Sequence, residues 1–110
     1  MKKITAEQLK VKMEANKTLE VINVLSEENY KKCHIKGSTS VPLVRLKDSV
    51  AVFDKNKEIV VYCASYDCKA SQQAYKLLEE LGFTNIAAYE GGTKEWKEKG
   101  FETAGEACAA

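Results

Sequence analysis

The run Ile59–Tyr62 constrains the fold more than any other segment, because it is short and continuous, with three β-branched apolar residues followed by an aromatic one. A strand with one face in water alternates apolar and polar residues, whereas a strand covered on both faces shows a continuous apolar run. Strands of the second kind belong to parallel sheets that have helices on both sides. The sequence therefore predicts a central strand of a parallel sheet at this position.

The segment after this strand predicts an amphipathic helix, and it is the clearest helix in the chain. Charged and amide side chains face away from an apolar stripe, and Gly82 stands where a helix is expected to end. The apolar stripe has helical spacing and consists of Ala70, Ala74, Leu77, Leu78 and Leu81.

The rest of the chain continues the alternation of strand and helix. Thr5 and Gln8 form a capping-box pattern, which predicts a helix over residues 6–15, and Ser26 predicts the start of a second short helix. Strands are predicted within residues 19–25, 37–42 and 85–89, and a last helix is predicted to follow Gly91–Gly92 and to end at Gly100. This order predicts an α/β domain with a mainly parallel sheet, followed by a loose tail over residues 102–110.

Composition excludes several classes of function. Seventeen basic residues balance sixteen acidic ones, so no nucleic-acid or membrane partner is expected, and no apolar run approaches the length of a signal peptide core or a membrane span. We expect a cytoplasmic protein whose four cysteines are thiols rather than disulfides. One histidine and the absence of a C-x-x-C pair predict no zinc site.

Cys63 is the best candidate for chemistry because it directly follows the central strand. Ligands of open parallel sheets bind at the carboxyl ends of the strands. The loop after Cys63 leads into a helix, whose unpaired N–H groups and positive dipole end stabilise a thiolate. From the residues alone, Cys63 is either a reactive thiol or an inert buried one.

Three motifs, in their order and spacing, resemble the single-domain rhodanese-like family. They are INVLSEENYKKCHIKGSTSVP at residues 22–42, VVYC at residues 60–63, and LGFTNIAAYEGGTKEW at residues 81–96. The likeness runs from about Ile4 to Phe101, so it implies one rhodanese-like domain over residues 1–101. The fold it implies is a three-layer α/β sandwich with a mainly parallel central sheet of about five strands flanked by helices.

The resemblance implies a sulfurtransferase in which Cys63 takes sulfane sulfur as a persulfide and yields it to an acceptor. The partners implied are a small-molecule or protein sulfur donor and a thiol acceptor, with no cofactor, and the chain is expected to be a monomer. The implied substrate-binding loop, whose amides would surround the terminal sulfur, consists of Ala64, Ser65, Tyr66, Asp67, Cys68, Lys69, Ala70 and Ser71.

Several positions depart from the family pattern. Asn23 and Leu25 replace an aspartate and an arginine of the first strand, the loop is longer than usual, and Ala70 replaces the arginine that ends it in many members. Arginine grips an oxyanion with two parallel hydrogen bonds, so its loss argues against thiosulfate as the donor and against phosphatase activity. Lys69 offers a point charge in its place.

The remaining candidates have more than one interpretation. Cys68 is either a resolving thiol for Cys63 or a loop residue without a role, and His34 is expected to pack rather than to transfer protons. Trp96 is expected in the core, and Cys33 and Cys108 are expected to be incidental thiols. The alternative functions are a thiol redox or peroxide sensor that uses the Cys63 and Cys68 pair, and a non-catalytic binding module.

Overall fold

The computed structural model describes residues 1–108, which form a sheet between two layers of helices. None of the helices within this part of the chain is long and apolar enough to cross a membrane. The helices are α1 (Ala6–Ala15), α2 (Glu27–Lys32), α3 (Leu46–Ser49), α4 (Ala70–Glu80) and α5 (Gly92–Glu98). The strands are β1 (Glu20–Asn23), β2 (His34–Ile35), β3 (Thr39–Ser40), β4 (Ile59–Tyr62), β5 (Ile86–Tyr89) and β6 (Thr103–Ala104).

The central sheet is parallel and has the strand order β3-β1-β4-β5. Strand β4 pairs with β1 on one side and β5 on the other, and all its residues are buried, which confirms the prediction from its continuous apolar run. A single parallel bridge from Lys3 to Ala88 stands at the β5 edge, where a fifth strand would lie. The predicted α/β architecture with a mainly parallel sheet is confirmed.

The two faces of β4 pack into separate cores. Ile59, Val61 and Cys63 share one core with Ala74 and Leu78 of α4. Val60 and Tyr62 point to the other face, toward α1 and Trp96. Cys63 therefore lies on the face of the sheet that α4 covers.

The predicted helices over residues 6–15 and after Ser26 are present, and the Thr5–Gln8 capping box forms as expected. The sequence did not predict the short helical turns over residues 43–52, which have no repeating pattern of useful length. They are held by Leu46 and Val50, two fully buried side chains one turn apart. Tertiary packing rather than local sequence stabilises this segment.

The expectation of a loose tail is wrong for its described part, residues 102–108. Strand β6 pairs antiparallel with β2, and the chain then continues alongside the end of α2. Glu106 N–H donates to the Lys31 carbonyl at 2.9 Å and Ala107 N–H donates to the Lys32 carbonyl at 2.8 Å. Backbone hydrogen bonds hold the tail in place. The sequence gives no sign of them, because the side chains of the tail are mostly small. Residues 109 and 110 lie outside the described residues.

The expectation that Cys33 and Cys108 are incidental thiols is also wrong. The two residues form a disulfide, with their Cα atoms 4.8 Å apart and 75 positions between them in sequence. The return of the tail to the end of α2 brings them together, which sequence spacing cannot show. Cys63 and Cys68 remain free thiols.

Candidate active site

Cys63 directly follows β4, at the edge of the sheet where the parallel strands end, and its side chain is fully buried. Helix α4 begins seven residues later, at Ala70. The Ser71 backbone N–H and hydroxyl both face the Cys63 sulfur. The buried strand and the helix thus place the sulfur against the amino end of α4, as the sequence predicts from the strand, loop and helix order.

Helix α5 fixes the first peptides of the loop. Thr93 N–H donates to the Cys63 carbonyl at 3.1 Å, and Lys94 N–H donates to the Ala64 carbonyl at 3.0 Å. Gly92 has a φ of +66° and lies so close that a Cβ would stand 2.4 Å from the Cys63 carbonyl oxygen. Only glycine fits this approach, so the glycine pair of the sequence is a contact with the loop as well as a turn.

Cys68 folds back over Cys63. A hydrogen bond from Cys68 N–H to the Ser65 carbonyl, at 3.1 Å, closes the loop into a turn. The Cys63 sulfur lies 3.5 Å from the Cys68 carbonyl oxygen, and the two thiols are close enough for each to shift the pKa of the other. The backbone N–H groups of Ala64 and Ala70 face the Cys68 sulfur. Two of the amides expected to surround a terminal sulfur therefore lie on the Cys68 side of the loop and act on the pKa of Cys68.

The two thiols differ in acidity. Burial raises the pKa of Cys63, the contact with the Cys68 side chain raises it further, and the Ser71 groups only partly oppose both effects. Burial also acts to raise the pKa of Cys68, but the Cys63 thiol and the N–H groups of Ala70 and Ala64 outweigh it and lower the pKa below its ordinary value. Cys68 is therefore the more acidic thiol of the pair.

Iodoacetamide is expected to alkylate Cys68 before Cys63, with a midpoint at lower pH than for cysteine in the unfolded chain. A lowered pKa gives more thiolate at a given pH, and the thiolate is the species that reacts. Cys63→Ala removes the hydrogen-bond donor and should move the Cys68 midpoint to higher pH. Alkylation rates across pH, assigned by peptide mass mapping, measure this, and earlier labelling of Cys63 would contradict it.

Two buried hydroxyls next to Cys63 lack hydrogen-bond partners among the described residues. They are those of Ser71 and Thr93. Thr93 also lines a cleft of about 260 Å³ at the start of the loop, together with Leu25, Asn29, Lys32, Cys33 and Ala64. An anionic sulfur bound to Cys63 could accept from these hydroxyls, because buried donors without partners are costly to leave unmatched.

The middle of the loop is tied to α5 through a carboxylate. The Tyr66 hydroxyl donates to Glu95 Oε2 at 2.9 Å, and the Tyr89 hydroxyl donates to Glu95 Oε1, also at 2.9 Å. Tyr66 itself is 61% exposed, and Asp67 beside it is exposed as well. The loop therefore rests on α5 by a polar contact at its surface.

Lys69 is exposed at the end of the loop, and its charge acts weakly on Glu90. Burial acts to raise the pKa of Glu90, but hydrogen bonds from Gln72 and Lys3, together with the charges of Lys3 and Lys69, lower it. Lys69 forms no salt bridge among residues 1–108, and the salt-bridge partner of Glu90 is Lys3. Among residues 1–108, no cluster of three or more histidine, cysteine, aspartate or glutamate side chains is placed to hold a metal ion.

Comparison with known proteins identifies the family. The sequence profile of the rhodanese-like domain matches residues 5–99. The chain belongs to the rhodanese-like domain family. It is 36% identical over 76 residues to the thiosulfate sulfurtransferase PspE of Escherichia coli, covering 67% of this chain and 70% of that protein.

Two further relatives agree with this assignment. The chain is 27% identical over 96 residues to the putative sulfur carrier protein YrkF of Bacillus subtilis, covering 87% of this chain but only about half, 51%, of that longer protein. The solution structure of the rhodanese-like domain of Alr3790 from Anabaena superposes with a TM-score of 0.86 at 27% identity, covering 99% of this chain and 83% of that one. Fold and family are therefore supported by both sequence and structure.

A neutral hydrogen-bond network holds the strand ends of this rhodanese-like domain. The buried Tyr62 hydroxyl accepts from Ile35 N–H at 3.0 Å and from Asn23 Nδ2 at 3.2 Å, and it shares a 2.6 Å hydrogen bond with Ser38 Oγ. Asn23 Oδ1 in turn accepts from Leu25 N–H at 2.9 Å. Burial raises the pKa of Tyr62, so the phenol stays neutral. Position 62 appears as a core residue in the sequence, and nothing there reveals its hydroxyl as the centre of this network.

His34 and Trp96 have packing roles, as expected. The His34 ring stacks on Tyr30, with ring centres 3.7 Å apart, and its Nδ1 hydrogen-bonds to the Tyr30 carbonyl at 2.7 Å. Trp96 is buried between Tyr89 and Phe101. The rhodanese-like domain brings neither of them to the two free thiols. The residues near the site that sequence reasoning missed are Gly92 and Thr93, for which the glycine pair was the available signal.

Proposed function

We propose that this rhodanese-like domain is a sulfurtransferase or persulfide carrier in which Cys63 holds sulfane sulfur as a persulfide. The observation that carries the proposal is the position of Cys63, buried at the end of β4 against the Ser71 N–H and hydroxyl at the start of α4. Relatives named as a thiosulfate sulfurtransferase and a putative sulfur carrier support the same reaction class.

The proposed transfer begins when Cys63 passes its proton to the Cys68 thiolate through their contact. The Cys63 thiolate then attacks the outer sulfur of a donor persulfide, a bond forms between Cys63 and that sulfur, and the sulfur–sulfur bond of the donor breaks. The donor thiolate takes the proton from Cys68 and leaves as a thiol. The Ser71 and Thr93 hydroxyls, which are buried and have no hydrogen-bond partner among the described residues, are the proposed donors to the new terminal sulfur. The thiolate of an acceptor then attacks the terminal sulfur of the Cys63 persulfide. The acceptor leaves as a persulfide, and Cys63 is free again.

We propose a persulfide rather than thiosulfate as the donor. The sulfonate end of thiosulfate requires a cation, and the position that would hold an arginine is Ala70, while the charge of Lys69 lies near Glu90. Lys32, at the cleft beside Ala64, is a single exposed point charge. A persulfide donor needs no such cation, because its reacting sulfur is not part of an oxyanion.

The donor is tested by incubating the Cys68→Ser variant, which keeps Cys63 and lacks the second loop thiol, separately with glutathione persulfide and with thiosulfate and measuring intact mass. The persulfide is expected to add about 32 Da, one sulfur atom, which a reductant removes, and to do so roughly a hundredfold faster than thiosulfate. Equal loading from both donors would contradict the choice of donor. The absence of any reducible sulfur gain with either donor would contradict the proposed function.

The contact between the Cys63 and Cys68 thiols also favours a second candidate, a redox pair that responds to peroxide. In that function one thiol becomes a sulfenic acid and the other converts it to a disulfide, with peroxide as the oxidant. Mild peroxide would then remove about 2 Da and need both cysteines, with no requirement for a sulfur donor. Peroxide resistance of both thiols would exclude this candidate.

A further inference from the structure

Cys68 is placed to react with sulfur that Cys63 carries. The Cys63 sulfur is 3.5 Å from the Cys68 carbonyl oxygen, and the two thiols lie close enough for each to shift the pKa of the other. The turn hydrogen bond from Cys68 N–H to the Ser65 carbonyl holds Cys68 in this position beside Cys63. Preorganised contact of this kind turns attack by Cys68 into a fast intramolecular step.

The two thiols also differ in the properties that a carrier and a resolving thiol need. Cys63 is fully buried, whereas Cys68 is only half-buried. The N–H groups of Ala64 and Ala70 face the Cys68 sulfur and stabilise it as a thiolate. Cys68 is therefore the nucleophile of the pair once Cys63 is occupied.

We infer that Cys68 discharges the Cys63 persulfide as hydrogen sulfide by forming a Cys63–Cys68 disulfide. This inference rests on the proposed persulfide at Cys63. The Cys68 thiolate attacks the inner sulfur, which belongs to Cys63, and the bond between Cys63 and the sulfane sulfur breaks. The sulfane sulfur leaves as HS⁻ with the hydrogen it carried.

Atoms and electrons balance without an added oxidant. The sulfane sulfur gains two electrons and becomes sulfide, while the two cysteines lose two electrons and become a disulfide. A dithiol reductant of the thioredoxin kind then restores both thiols and becomes a disulfide itself. Because Cys68 is half-buried, the new disulfide is open to such a reductant from the loop side.

The proposed reaction identifies a product, hydrogen sulfide, as well as a role for Cys68. A carrier without a resolving thiol holds its sulfur until an acceptor thiol arrives, but this domain releases sulfide on its own and then waits for a reductant. The overall reaction converts a persulfide and a protein dithiol into a thiol, a protein disulfide and hydrogen sulfide. The domain is thereby a persulfide reductase. Its second substrate is the external dithiol reductant that restores the Cys63 and Cys68 thiols.

A single-turnover experiment tests the inference on the oxidised full chain, in which the Cys33–Cys108 bond is intact. Wild type, Cys68→Ser and Cys63→Ser are mixed anaerobically with one equivalent of glutathione persulfide, and sulfide release and intact mass are followed. Wild type is expected to release about one sulfide per chain and to end about 2 Da lighter. Cys68→Ser is expected to keep a gain of about 32 Da and to release sulfide at least roughly tenfold more slowly.

The double variant Cys33→Ser/Cys108→Ser is the matched control, because it removes the other two cysteines and keeps both loop thiols. It is expected to release sulfide as wild type does. Equal lifetimes of the persulfide in wild type and Cys68→Ser would overturn the inference while leaving the proposed function intact. If neither wild type nor Cys68→Ser gains sulfur or releases sulfide, the proposed function fails. If Cys63→Ser releases sulfide at the wild-type rate, Cys63 is not the carrier and Cys68 is not the resolving thiol.

Discussion

Cys63→Ser is expected to lower sulfur transfer from glutathione persulfide by roughly a thousandfold or more, because a serine hydroxyl at neutral pH is a far weaker nucleophile than a thiol. The persulfide itself also cannot form on oxygen. The measurement is the rate of sulfur transfer to an acceptor thiol, together with intact mass after exposure to the donor.

Cys63→Ala is the companion variant, because position 63 is fully buried and a serine there would bring a hydroxyl into an apolar core. Both variants should melt cooperatively and retain a free thiol at Cys68. Cys33→Ser/Cys108→Ser, which changes two cysteines outside the loop, should keep transfer within roughly twofold of wild type. Transfer by Cys63→Ala within tenfold of wild type would assign the carrier role to Cys68 instead.

Cys33→Ser/Cys108→Ser is expected to lower the free energy of unfolding by about 2–4 kcal/mol and the melting temperature by roughly 10 °C. The bond closes a loop of 75 positions, and a link of that length strongly restricts the unfolded chain. Thermal and urea unfolding of the oxidised wild type and the double variant measure the difference.

Wild type kept in reductant is the control for this comparison and should unfold like the double variant. The β2 and β6 pairing and the hydrogen bonds of Glu106 and Ala107 remain available in both, so the native fold should persist. A melting temperature for oxidised wild type equal to that of the reduced protein would show that the bond does not form or does not stabilise the domain.

The parts of the fold that the sequence predicted depend on local patterns. Strand β4 and helix α4 have uninterrupted periodicity, and α1 and α2 begin with capping residues that form the expected hydrogen bonds. These features need no knowledge of distant residues. The position of Cys63 followed from the order of strand, loop and helix in the same way.

The parts that the sequence did not predict depend on contacts between distant residues. The tail and the Cys33–Cys108 bond exist because β6 returns to β2, and a pairing of two residues leaves no periodicity to detect. In the sequence, Tyr62 looks like another core residue of the strand. Only the folded structure shows that Asn23 and Ser38 hydrogen-bond to its hydroxyl. The contact between Cys63 and Cys68 likewise requires the turn at Ser65, which the loop sequence permits but does not specify.

The anchoring of the loop to α5 gives it a direction of opening. Hydrogen bonds from Thr93 and Lys94 clamp the peptides of Cys63 and Ala64, and Gly92 leaves them no space to shift. The far end runs directly into α4 at Ala70, and Cys68 packs against the core there. Both ends of the loop are therefore held, and the direction in which it can open is outward at its exposed middle, where only the Tyr66–Glu95 hydrogen bond ties it to α5.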